Sequence, residues 1–116
     1  MREFVVNGVS LDLKNKNLDM ISPKLWLTYP NLLTIDLSEN ASITKIPEEF
    51  GNIIHLKQLR LVGCSLTQLP LSFLALKELN SLEVDRNQLS SFYDEYPLVK
   101  SQVQLESLSY LGLNGN

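Results

Sequence analysis

Cys64 and His55 are the single cysteine and the single histidine of this 116-residue chain, nine positions apart. A thiol and an imidazole are the two parts of a nucleophile–base pair, in which the ring takes the proton and the thiolate attacks. Asp12 and Asp36 offer a second chemistry, a carboxylate pair for acid–base work. Either pair acts only if the fold brings its members within hydrogen-bond reach. One Cys and one His fall short of the three or four ligands of a zinc site. Gly8, Gly51, Gly63, Gly112 and Gly115 form no glycine-rich phosphate loop. The elements that position these residues therefore decide whether any chemistry is present.

Composition narrows the classes. The chain is long enough for one domain. Its formal net charge of −3 lacks the basic surplus of a nucleic-acid binder, and no polybasic patch addresses a membrane. No apolar run approaches the roughly 18 residues that span a bilayer. MREFVVNGVS has neither the apolar core nor the small-residue cleavage site of a secretory leader. A lone cysteine forms no intrachain disulfide, so the expected compartment is cytoplasmic or otherwise reducing. One glycosylation sequon stands at Asn40-Ala41-Ser42.

Internal repetition dominates. Leu11, Ile35, Leu59, Leu82 and Leu111 fall in one column, and Leu13, Leu37, Leu61, Val84 and Leu113 stand two residues on. Lys16, Asn40, Cys64, Asn87 and Asn116 follow three further on, then Leu18, Ile43, Leu66 and Leu89. Ile21, Ile46, Leu69 and Phe92 form the next column, and Leu32, Leu56, Leu79 and Leu108 precede the first by three. Steps along the Leu13 column are 24, 24, 23 and 29 residues. Periods of this length mark stacked units that bury a shared core.

This pattern resembles the leucine-rich repeat family, whose unit reads LxxLxLxxNxL, over residues 9 to 116. The segment LKQLRLVGCSLTQLPLSFLALKEL (56–79) is the best single unit. Ile46-Pro47 and Leu69-Pro70, followed by Phe50 and Phe73, resemble the "LPxxL" subtype of intracellular signalling proteins. The resemblance implies an α/β repeat: a leucine-rich repeat solenoid with a curved parallel β-sheet on the concave side and irregular or short helical arcs on the convex side. The units fall near 9–31, 32–55, 56–78, 79–107 and a partial 108–116. Each strand alternates its side chains, so both leucines of LxL point inward and one unit cannot bury its apolar face alone.

The resemblance also implies roles. Asn40, Cys64, Asn87 and Asn116 form a ladder that turns the chain and satisfies backbone groups. The family accepts Cys there, so Cys64 is expected buried and inert, and His55 exposed on the returning arc, away from it. Asn40 points inward, which conflicts with glycosylation. Lys16 departs from the ladder because lysine accepts no hydrogen bonds; either Asn15 or Asn17 substitutes, or the first turn is irregular. Trp26 and Tyr29 take leucine positions in the first arc.

At the N-terminus, Asn7-Gly8 between apolar runs signals a hairpin cap over residues 1–11. A two-residue loop sets Val6 opposite Val9 and Phe4 opposite Leu11. At the other end the repeats stop on a ladder position. The expectation is a piece of a larger array, or end-to-end self-association through an uncapped repeat. The surplus of the fourth unit lies in residues 92–105, where Tyr93, Asp94, Glu95 and Tyr96 either anchor an interface or pack beneath the longer arc.

The concave face carries three outward columns: Ser10, Thr34, Gln58, Ser81, Tyr110; Asp12, Asp36, Arg60, Glu83, Gly112; and Lys14, Ser38, Val62, Asp85, Asn114. Asp12 and Asp36 are adjacent like charges, and Arg60 can pair with Asp36 or Glu83. This mildly acidic face is either a docking surface for a protein partner with basic and polar groups or a solvated sheet face. Asp12, Lys14, Thr34, Asp36, Gln58, Arg60, Val62, Glu83, Asp85 and Tyr110 are the candidate binding residues. No catalytic residue, metal or cofactor is expected. The functional expectation is a non-catalytic protein-interaction module in intracellular signalling. The alternative is a structural or regulatory segment of a larger signalling or immune-receptor protein.

Overall fold

A computed structural model describes residues 5–6, 9–22, 24–69, 72, 75–89, 110–112 and 114–115. Among the described residues, six strands form one sheet in chain order: β1 (Val5–Val6), β2 (Ser10–Asp12), β3 (Thr34–Asp36), β4 (Gln58–Arg60), β5 (Ser81–Glu83) and β6 (Tyr110–Gly112). β1 runs antiparallel to β2, and every later pair is parallel. The register follows the repeat columns, with Leu11, Ile35, Leu59, Leu82 and Leu111 as successive partners.

Each of the strands β2 to β6 spans only three residues, yet the ladder runs further. Leu13, Leu37, Leu61 and Val84 donate their N–H groups to the carbonyls of Asp36, Arg60, Glu83 and Gly112. Asn15, Glu39, Gly63 and Arg86 then donate to Ser38, Val62, Asp85 and Asn114. The turn is thus stacked unit on unit as regularly as the strand.

The leucine columns form one continuous core. Leu11, Leu13, Ile35, Leu37, Leu59, Leu61, Leu82 and Val84 are buried, as are Leu32, Leu56 and Leu79 from the returning arcs. Each such side chain contributes roughly 1.5–3 kcal/mol by leaving water. Among the described residues, two arcs carry a continuous short helix. In α1 (Lys24–Thr28) the Ser22 hydroxyl accepts the Lys24 N–H at 3.3 Å, and the helix ends where Tyr29 precedes Pro30, a position unfavourable to helix. Tyr29 packs half-buried on the core. The second is a 3-10 helix, Glu48–Asn52, entered from Pro47 and burying Phe50.

The N-terminal register differs from the two-residue hairpin. Val6 lies opposite Ser10, and Val5, not Phe4, opposite Leu11. The reason lies in Val9, whose carbonyl accepts the N–H groups of Leu33 and Thr34 from the third strand's side. Successive residues of a strand aim their backbone groups to opposite sides. With Val9 aimed at β3, Ser10 is the residue aimed at β1, and the connection lengthens to three residues. Phe4, the Asn7-Gly8 pair, Phe73, residues 92–105, Leu108, Leu113, Asn116 and the side chain of Trp26 lie outside the described residues.

Candidate functional site on the sheet face

Cys64 and His55 do not form a catalytic pair. Cys64 is buried, and its Sγ donates to the Leu37 carbonyl at 3.4 Å. Burial pushes the thiol pKa up, which disfavours a nucleophilic thiolate. His55 is exposed, with Nδ1 at 2.7 Å from Glu78 Oε2, while Lys57 reaches the other oxygen of Glu78 at 3.5 Å. That hydrogen bond from His55 holds the Glu78 carboxyl below the usual range. Among the described residues, no group of three His, Cys, Asp or Glu is placed to hold a metal. No described helix is long and apolar enough to cross a membrane.

The ladder residues serve the backbone. Asn40 is fully buried; its Oδ1 accepts Lys16 N–H at 3.1 Å and Leu18 N–H at 3.0 Å. Its Nδ2 donates to the carbonyls of Leu13 at 3.0 Å and Leu37 at 2.8 Å. Asn87 repeats this with Leu66 N–H and the carbonyls of Leu61 and Val84. At Lys16 the first turn is irregular, since Asn17, one residue past the ladder position, also adopts positive φ.

A second column escaped the sequence reading. Asn15, Glu39, Gly63, Arg86 and Gly115, each just ahead of its ladder residue or, for Gly115, ahead of Asn116, all have φ between 54° and 76°. This left-handed conformation suits Gly and Asn and costs other residues roughly 1–2 kcal/mol. The Asn and two glycines of the column were the available signal. Glu39 reaches over Gly63, where a Cβ would sit 2.8 Å from its Oε2, and pairs with Arg86 two units away.

The outward columns lie as the register demands. Asp12 and Asp36 are direct partners. Lys14 Nζ lies 2.7 Å from Asp12 Oδ2, and this bond holds the Asp12 carboxyl low, helped there by Lys14's own N–H, and the Lys14 ammonium high. Arg60 contacts both neighbours, Glu83 at 2.9 Å through Nε and Asp36 at 3.4 Å through Nη1. Gln58, Arg60 and Tyr110 are exposed, whereas Thr34, Asp36, Val62, Glu83 and Asp85 are half-buried.

Much of this polarity has structural work. Asp12 Oδ1 accepts Lys14 N–H at 3.1 Å, and Asp36 Oδ1 accepts Ser38 N–H at 3.0 Å. Ser38 is not outward as its column suggested; it is 5% exposed and its Oγ accepts Val62 N–H. Asp85 leans across Gly112, where any Cβ would meet Oδ2 at 2.6 Å, and accepts Asn114 N–H. These N–H groups stand where each strand turns away, and a nearby oxygen replaces the ladder partner they lack. Over β2 and β3 remains an open hollow of about 220 Å³, lined by Ser10, Asp12, Thr34, Asp36, Gln58 and Arg60. The Ser10 and Thr34 hydroxyls bond each other there at 2.7 Å.

A stacked parallel sheet, an internal asparagine ladder and one polar open face define a leucine-rich solenoid. The family model described as leucine rich repeat matches residues 9–66, half of the chain. The chain belongs to the leucine-rich repeat family. It is similar to a leucine-rich repeat protein of Leptospira interrogans whose structure is solved, with TM-score 0.61 and 25% identity, over 90% of this chain and 30% of that one. Disease resistance protein RFL1 of Arabidopsis thaliana is 33% identical over 72% of this chain and 10% of its own length. Toll-like receptor 5 of Homo sapiens is 31% identical over 83% and 11%. A Uridine 5'-monophosphate transferase of Xanthomonas campestris is 32% identical over 71% and 15%. The chain thus spans 15% or less of these three curated relatives.

Proposed function

We propose that this chain is a non-catalytic protein-binding module that takes its partner on the open face of the sheet, in cytoplasmic signalling. The observation that carries the reading is that Gln58 and Arg60 on β4 and Tyr110 on β6 stand exposed on one face of the sheet, with β5 between them, while neighbouring polar groups are consumed in capping the backbone. Repeat scaffolds bind on such extended faces, and two of the relatives are named as a disease resistance protein and a receptor. The cytoplasmic part is supported by the free single thiol and by the burial of Asn40, the sequon residue.

The test is affinity capture from host lysate with the chain and with a Gln58→Ala, Arg60→Ala, Tyr110→Ala triple variant whose fold is checked by circular dichroism. A protein retained by the first and lost by the second supports the reading. Equal capture refutes the open face as the site, and no specific capture by either bait favours a segment that spaces or regulates other domains.

A further inference from the structure

Three carboxylates on the middle row, Asp12, Asp36 and Glu83, face two paired cations, Lys14 and Arg60. Lys14 serves Asp12 at 2.7 Å and Arg60 serves Glu83 at 2.9 Å, which leaves Asp36 Oδ2 with a guanidinium contact stretched to 3.4 Å. Lys16 adds a through-space attraction on Asp12. Asp36 is also the carboxylate with the smaller share of solvent, its side chain 17% exposed against 53% for Asp12.

Asp12 and Asp36 stand beside Ser10 and Thr34 on the same two strands. Strand spacing and residue rise put these four side chains at the corners of a rectangle of about 4.8 by about 6.7 Å. One edge bears carboxylates and the other bears hydroxyls already joined to each other. Both kinds of group retain acceptor lone pairs. The hollow above them holds about 220 Å³; a cavity of about 150 Å³ admits a benzene-sized ligand. The space suits one long side chain.

We propose that this hollow receives a lysine-type ammonium from the partner, so that the docked segment is basic and its register on the sheet is set at β2 and β3. The proposal rests on the protein-binding reading above. A primary ammonium has three donors in a compact head, and Asp36 Oδ2, Asp12 and the hydroxyl pair supply three convergent acceptors. A short charge-assisted bond to Asp36 replaces the long contact from Arg60, which stays on Glu83. The added cation evens the charge of the row.

The test is an amide NMR titration of the full chain at physiological salt with n-butylammonium, the lysine side chain as a free probe, against n-butyrate. The amides of Lys14 and Ser38 report directly, because they donate to Asp12 and Asp36. The expected result is a saturable shift of those two amides with the cation and none with the anion. Asp36→Asn, which keeps an oxygen for Ser38 N–H, should weaken it ~tenfold or more, the scale of one charge-assisted bond. Thr34→Val, which keeps shape, should also weaken it and covers the case in which Asp36→Asn misfolds. Linear shifts spread over the chain, equal shifts with butyrate, or a folded Asp36→Asn that titrates like the parent overturns the proposal. Capture lost in the triple variant, together with no ammonium shift, overturns this subsite and leaves protein binding standing. Saturable ammonium shifts without any specific capture refute the partner lysine and reassign the hollow to a small amine.

Discussion

Replacing Asn40 with alanine should cost the fold far more than replacing Cys64, although both occupy the same position of successive units. Asn40 makes five polar bonds from a fully buried amide, two accepted from Lys16 and Leu18 and three donated to the carbonyls of Leu13, Leu37 and, at 3.3 Å, Ser38. Alanine leaves two N–H groups without that partner, at ~1–3 kcal/mol for each buried donor. Both donors are part-buried, so the lower half of the range applies, and the expected loss is ~3 kcal/mol. Cys64 makes one Sγ contact at 3.4 Å to Leu37, and its loss removes one weak bond and one sulfur's packing, ~1 kcal/mol. In urea, with a slope of ~1.5 kcal/mol per M, the midpoint should fall by ~2 M for Asn40→Ala and by under ~1 M for Cys64→Ala. Equal slopes for parent and variants establish that the same unit is unfolding. Equal losses at the two sites, or a loss at Asn40 below ~1 kcal/mol, would refute the view that the amide is a backbone substitute.

Three further outcomes follow from the turns and rims. Gly63→Ala should destabilise by ~1 kcal/mol or more, since an L-residue meets its left-handed conformation unfavourably; a urea double-mutant cycle with Glu39→Ala separates that backbone cost from displacement of the Glu39 carboxylate. A Gly63→Ala protein as stable as its parent contradicts the strain. Cys64, buried with its thiol pKa raised, should react with an aromatic disulfide reagent only at the rate of unfolding, so labelling should accelerate with urea; prompt labelling of the native chain is the opposing result. Glu78 has a folded pKa below its unfolded value because His55 bonds its carboxylate. The stability it contributes is present above the unfolded value and lost as pH falls through the folded one, so the parent should lose its advantage over Glu78→Gln on acidification, and a pH-independent difference would oppose this.

The sequence by itself determined the solenoid. Columns of leucine at a period near 24 residues specify a unit that buries its apolar face only against another copy, and the strand register then follows the columns. The buried states of Asn40 and Cys64, and the adjacency of Asp12 with Asp36, were legible for the same reason: they are periodic. The tertiary structure decided what is not periodic. Val6 meets Ser10 because the Val9 carbonyl is taken from the β3 side, a fact of neighbouring strands that a hairpin motif does not contain. Ser38 turned inward and Asp85 leaned over Gly112 because the N–H groups of Val62 and Asn114 needed acceptors once their strands turned away. Of the polar side chains in the outward columns, Asp12, Asp36, Ser38 and Asp85 therefore serve the backbone. Ser38 and Asp85 do so across units, at distances that exist only after the units have stacked.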